Sequence, residues 1–176
     1  MKKFTISLLA LTSLAAVAQS PALPAFSLRG TDGKVYSNSN LFKKPTVLLF
    51  LKKGCPHNPK AMTDMNRLKS EMGSKVNFIA VCNVNDAEAK GYAKELRAKF
   101  VILADKDQKL ISGAGAEFSL DFALISPKTK KVAKFWTGYN NQSIAELYEW
   151  LPKVGGVKPK IAASKYPKGT VSGCGF

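Results

Sequence analysis

Thr46 to Leu51 is an uninterrupted run of β-branched, aliphatic and aromatic residues opened by Pro45. The run is too short for a helix, and without polar alternation it reads as a strand covered on both faces. A chain holding such a strand must supply apolar layers above and below it, so the expected class is α/β, a central sheet between helices. The 176 residues, 45% of them hydrophobic, suffice for one such domain and leave little room for a second. Collagen-like, mucin-like and largely disordered chains are excluded.

Flanking segments supply the remaining elements. Phe26 to Arg29 and Val35 to Tyr36 surround Gly30, Thr31, Asp32 and Gly33, the pattern of a small hairpin with an Asp-Gly turn. Leu41 and Phe42 lead into the core. Asn58 as N-cap and Pro59 at the first helical position predict a helix carrying Met62, Met65, Leu68 and Met72 on one face, ended by Gly73. Val76 to Val81 is a second buried strand. Asp86 is expected to cap a helix striped by Ala89, Tyr92, Ala93, Leu96 and Phe100, and Val101 to Leu103 forms a third strand. A short helix over Asp105 to Ser112 precedes the runs Asp121 to Ser126 and Lys131 to Thr137, an antiparallel hairpin around Pro127. Ser143 with Glu146 reads as the capping box of a last helix that bears Ile144, Leu147, Tyr148 and Leu151. This order implies a mixed sheet with helices on both sides, preceded by the hairpin as an N-terminal extension.

The two ends differ from the middle. Lys2 and Lys3, the apolar stretch Phe4 to Val17 and the small residues before Gln19 form the three parts of a secretory signal peptide over residues 1–18. The expected location is therefore exported, periplasmic or extracellular, with the domain over residues 19–154. Residues 155–176 hold Lys158, Lys160, Lys165 and Lys168 and no acid, and read as a basic flexible C-terminal arm. The formal charge of +15 comes almost wholly from scattered lysines, since only Arg29, Arg67 and Arg97 are arginines. Scattered lysine without clustered arginine is a solvated surface, with no nucleic-acid partner expected and at most weak attraction to an anionic membrane surface.

Three cysteines are present: Cys55, Cys82 and Cys174. In an oxidising compartment an odd number leaves at least one thiol free, paired between chains, or chemically active. Cys55 lies in the turn between the buried strand and a helix start, where free backbone N–H groups and the helix dipole favour an anion. Lys52, Lys53 and His57 add positive charge nearby, and that combination lowers a thiol pKa toward the thiolate that attacks disulfides and peroxides. Cys82 closes a buried strand and reads as packing. A single histidine argues against a metal centre, Met62, Met65 and Met72 read as core, and no cofactor is expected.

Pro24 to Leu28 with Asp32, Gly33 and Lys34, then Thr46 to Phe50 with Cys55 five residues on, resemble the redoxin branch of the thioredoxin-like proteins. That branch includes the thiol-specific antioxidant, or alkyl hydroperoxide reductase-like, proteins. Ala104 to Asp107 and Phe122 to Val132 continue the match, which spans roughly Pro24 to Leu151. The resemblance implies a thioredoxin-like fold with Cys55 as attacking cysteine, toward a hydroperoxide or a disulfide-containing protein, restored by an external thiol reductant. Cys55, Pro56, His57 and Asn58 also resemble the Cys-Pro-His-Cys site of exported disulfide-forming thioredoxins, with Asn58 in place of the second cysteine. Gly173 and Cys174 resemble a Gly-Cys tail found in one redoxin branch, which implies Cys174 as resolving cysteine. A tail thiol that is free or bridges two chains is the other reading of Cys174.

The chain departs from the family at three places. Leu120 stands where thioredoxins carry a cis-proline, so a trans bond is expected there. Leu49 replaces their buried acid, and Lys52 replaces the threonine that peroxiredoxins place three residues before the attacking cysteine. Two functional classes stand at this level: a thiol oxidoreductase built on Cys55, His57 and Cys174, and a catalytically weak thioredoxin-fold module that binds a protein segment. A basic surface protein that holds polyanions is a third.

Overall fold

The computed structural model describes residues 22–176, so the expected signal peptide lies outside the described residues. The chain runs β1 (Ser27–Arg29), β2 (Val35–Ser37), α1 (Asn38–Leu41), β3 (Thr46–Leu51), α2 (Asn58–Met72), β4 (Asn77–Cys82) and α3 (Asp86–Glu95). It continues through β5 (Ile102–Ala104), α4 (Lys109–Gly113), β6 (Phe122–Ile125), β7 (Val132–Trp136) and α5 (Asn141–Gly155). A single 3-10 turn, Ala163–Lys165, follows. β1 and β2 form the expected hairpin, and the main sheet has the order β5-β4-β3-β6-β7.

Within that sheet β3 runs parallel to β4 and antiparallel to β6. The apolar run is thus the central strand of a mixed sheet. Its side chains alternate between two cores, which is why no position in it is polar to solvent. Val47, Leu49 and Leu51 face α2, α3 and α5, while Leu48 and Phe50 face Leu41, Phe42 and the α4 residues Leu110 and Ile111. Residues from β3, β4, β5 and β6 are nearly all sealed from solvent. Each large aliphatic buried this way contributes about 1.5–3 kcal/mol relative to exposure, which fixes the sheet and hence both ends of β3.

Helix starts differ from the expected ones by a few residues. Asn85 rather than Asp86 caps α3, in a reciprocal box with Glu88. Asn140 rather than Ser143 caps α5; Ser143 is the third helical residue and Glu146 instead accepts a hydrogen bond from the Trp136 indole at 3.0 Å. Asp105 lies outside α4, its carboxylate accepting the Leu110 and Ile111 N–H groups. His57 is the N-cap residue of α2 and makes no side-chain cap, so Asn58 is released for another task.

The expected free arm is not what the fold contains. α5 runs through Pro152 to Gly155, stopped by Gly156 at φ 65°. The chain then folds back over the domain as a strap. Tyr166 is buried and donates to Glu71 at 3.0 Å, with Arg67 above its ring. Tyr139 and Val171 exchange both backbone hydrogen bonds, at 2.9 and 2.8 Å. Gly138, at φ 66°, permits this approach because any Cβ there would lie 2.6 Å from the Val171 carbonyl. The lysine-rich composition reports side chains that face water, whereas the strap is held by its backbone, by Tyr166 and by Val157, Ile161 and Val171 packed against the core.

Candidate active site

Cys55 follows β3 by one tight turn. Gly54 at φ 77° allows the turn, the Cys55 N–H donates to the Lys52 carbonyl at 3.2 Å, and the Cys55 carbonyl receives the Asn58 N–H at 3.1 Å. The sulfur therefore sits over the start of α2, with only 4% of the residue exposed. It is capped by the strap. Cys174 donates its backbone N–H to Cys55 Sγ at 3.0 Å, and its own sulfur lies 2.7 Å from Cys55 Sγ. That separation is less than an ångström beyond a disulfide bond of about 2.05 Å, so the pair can bond with little movement.

The surroundings decide the charge state of each sulfur. Burial works to raise the Cys55 pKa, but the Cys174 S–H and the backbone N–H groups of His57, Cys174 and Asn58 outweigh it, and the net shift is downward. Cys174 is shifted upward, chiefly because its proton is held by Cys55 and secondarily by burial. The arrangement favours negative charge on Cys55 and keeps the proton on Cys174, which donates it toward its neighbour. Cys82 is sealed at 0% exposure, and burial pushes its thiol up to about 12. It matches the packing role expected for it.

The expected cations act differently from the sequence reading. His57 contributes its backbone N–H to the sulfur; its ring is exposed and makes no hydrogen bond among the described residues. Lys53 pairs with Glu88 at 2.6 Å. Lys52 reaches the strap, donating from Nζ to the Gly175 carbonyl.

Beneath the sulfur lies a buried polar hub that sequence reasoning missed. Asn58 is 0% exposed and donates from Nδ2 to the Lys52 carbonyl at 2.9 Å and to Tyr92 Oη at 2.8 Å. Ser119 Oγ donates to Asn58 Oδ1 at 2.8 Å and accepts the Lys52 N–H at 3.0 Å. The hub thus ties the end of β3, the start of α2, α3 and the loop before β6 into one fixed frame. Asp121 organises that loop from the other side. Its carboxylate accepts the N–H groups of Glu117, Phe118 and Gly138, while burial pushes its pKa upward despite these bonds. A buried asparagine immediately after a strand-helix turn, and an aspartate opening an apolar run, were the only signals of either role. Leu120 has the expected trans bond and an unexpected left-handed backbone, at φ 74°. Among the described residues no group of three or more His, Cys, Asp and Glu side chains converges as a metal site. Among them, too, no helix is long and apolar enough to cross a membrane.

A family model described as Redoxin matches residues 18–146. The chain belongs to the redoxin family. The redoxin chain is 30% identical over 128 residues to a chloroplastic peroxiredoxin Q of Triticum aestivum, covering 68% of this chain and 57% of that one. A chloroplastic peroxiredoxin Q of Populus jackii is 29% identical over 103 residues, covering 56% and 47% respectively. This redoxin therefore spans about half the length of the curated relatives it matches. Its fold is thioredoxin-like: the exposed lipoprotein thioredoxin of Streptococcus pneumoniae superposes with a TM-score of 0.60 at 24% identity, over 70% of this chain and 96% of that one.

Proposed function

We propose that this redoxin is a thiol-dependent oxidoreductase in which Cys55 attacks a hydroperoxide or a small disulfide and Cys174 resolves the product. The carrying observation is the Cys174 thiol directed onto Cys55 Sγ at 2.7 Å, with the Cys55 pKa lowered by that contact and by three backbone donors. Peroxiredoxin Q relatives support the same chemistry. The strap leaves Cys55 nearly sealed, which favours a small oxidant over a bulky folded one.

With a hydroperoxide, the Cys55 thiolate attacks the terminal oxygen, the O–O bond breaks, and the alkoxide leaves with a proton as an alcohol. Cys55 becomes a sulfenic acid. Cys174 then attacks that sulfur, water departs, and a Cys55–Cys174 disulfide forms. With a disulfide, Cys55 first forms a mixed disulfide, and Cys174 attacks Cys55 Sγ to release the second thiol. Either route consumes two thiols, and an external thiol reductant returns them. The signal-like pattern over residues 1–18 supports export to a periplasm or the cell exterior, where such a dithiol would meet oxidants directly.

Mass spectrometry without reductant after one equivalent of hydrogen peroxide tests the reading. The wild type should show a Cys55–Cys174 disulfide, Cys174→Ser a sulfenic acid on Cys55, and Cys55→Ser neither. A Cys55 that reacts no faster than free cysteine at neutral pH would instead favour the weak binding module.

A further inference from the structure

The last four residues of the strap lie on the loop before β6 as an added strand. The Gly173 N–H donates to the Ser119 carbonyl at 2.8 Å, the Ser119 N–H to the Cys174 carbonyl at 2.9 Å, and the Phe176 N–H to the Glu117 carbonyl at 2.9 Å. The receiving edge is also held from the domain side. Asp121 fixes the Glu117 and Phe118 amides, the Ser119 side chain is locked to Asn58, and the Leu120 N–H is bound to the Phe50 carbonyl at 2.7 Å. Phe118, 38% exposed, lines the same edge. A preformed edge with paired backbone groups is how an extended polypeptide docks by strand addition.

Space at one position is restricted. A Cβ on Gly173 would lie 2.6 Å from Ser119 Cβ, 2.8 Å from the Ser119 carbonyl oxygen and 3.1 Å from Cys55 Sγ. Neither the backbone oxygen nor the hub-bound Ser119 can yield cheaply. We propose that the Glu117–Ser119 edge beside Cys55 is the docking groove for an extended polypeptide thiol, held at rest by the chain's own strap, and that it selects a cysteine preceded by glycine.

The inference rests on Cys55 being the reactive sulfur. When an external polypeptide thiolate attacks Cys55 Sγ in the oxidised protein, the Cys55–Cys174 bond breaks and Cys174 leaves as a thiolate. The incoming sulfur then occupies the place of Cys174, and its chain inherits the place of the strap. The same mixed disulfide forms when the Cys55 thiolate attacks a peptide disulfide, so the groove can be probed from that side.

The probes are the heptapeptide with the sequence of residues 170–176 and its counterpart with alanine for glycine, each joined through its cysteine to 5-thio-2-nitrobenzoate. Attack by Cys55 on the peptide sulfur forms the mixed disulfide and expels the coloured thiolate. Full-length Cys174→Ser keeps the strap seated, and full-length Gly173→Ala combined with Cys174→Ser unseats it. The unseated protein should take the glycine peptide about tenfold or more faster than the alanine peptide, and about tenfold faster than the seated protein does. Equal rates for the two peptides in the unseated protein would overturn the groove while leaving the catalytic reading intact, provided both proteins react rapidly with 5,5'-dithiobis(2-nitrobenzoate). A Cys55 inert even to that small disulfide would remove the catalytic reading and the groove together.

Discussion

At the scale of single residues, the Cys55 and Cys174 pair makes reactivity follow pH in a defined direction. The Cys55 pKa lies below that of an ordinary thiol, so its oxidation rate should rise with pH and level off earlier than that of free cysteine. Cys174→Ala keeps the backbone N–H that contacts the sulfur but removes the S–H donor. The inflection in an alkylation-rate profile should therefore move upward, and no movement would mean that Cys174 does not stabilise the thiolate. By linkage, the ionised Cys55 adds stability at pH above the ordinary thiol range and loses it as pH falls through the lowered value. His57→Ala should leave the rate within about twofold, because the group that faces the sulfur is the backbone N–H. Asn58→Ala should be far more damaging. It deprives Ser119, Tyr92 and the Lys52 carbonyl of a buried partner, a loss of about 2–4 kcal/mol measurable by urea denaturation. Cys55 was legible in the sequence because its cause is local, a buried strand running into a helix start. The role of Asn58 was not, because its partners Tyr92 and Ser119 are 34 and 61 residues away.

At the scale of elements, strands and helices followed from pattern, whereas caps and the strap did not. β3 could be read because every residue in it after Thr46 is apolar, and α2 because Met62, Met65, Leu68 and Met72 share a face. Several polar residues compete at each helix start, and side-chain geometry chooses among them: Asn85 reaches the Glu88 amide and so displaces Asp86 from the capping role. The strap carries no alternation for a pattern to detect, since main-chain bonds hold it together with irregularly spaced side chains, Val157, Ile161, Tyr166 and Val171, that pack on the core. Gly138→Ala tests that hold. The added methyl meets the Val171 carbonyl and φ is 66°, so the amides of Val171 and Gly173 should lose hydrogen-exchange protection while those of β3 keep theirs. Unchanged protection at Val171 would show that the strap's other contacts seat the segment without this close approach.

At the scale of the whole molecule, oxidation state and stability are coupled. A Cys55–Cys174 bond joins residues 119 apart in sequence, a loop long enough for the cross-link to restrict the unfolded chain strongly. The oxidised protein should therefore be more stable than the reduced one by about 3–5 kcal/mol, read as a shift in the urea midpoint. Equal midpoints would argue that the bond is strained in the folded state. Cys82, closed inside β4, adds a practical corollary. A native sample should titrate at most two sulfhydryls, and the third should become countable only when the sheet opens. The molecule thus carries its own gauge of denaturation, one that stays silent through every turnover of the other pair.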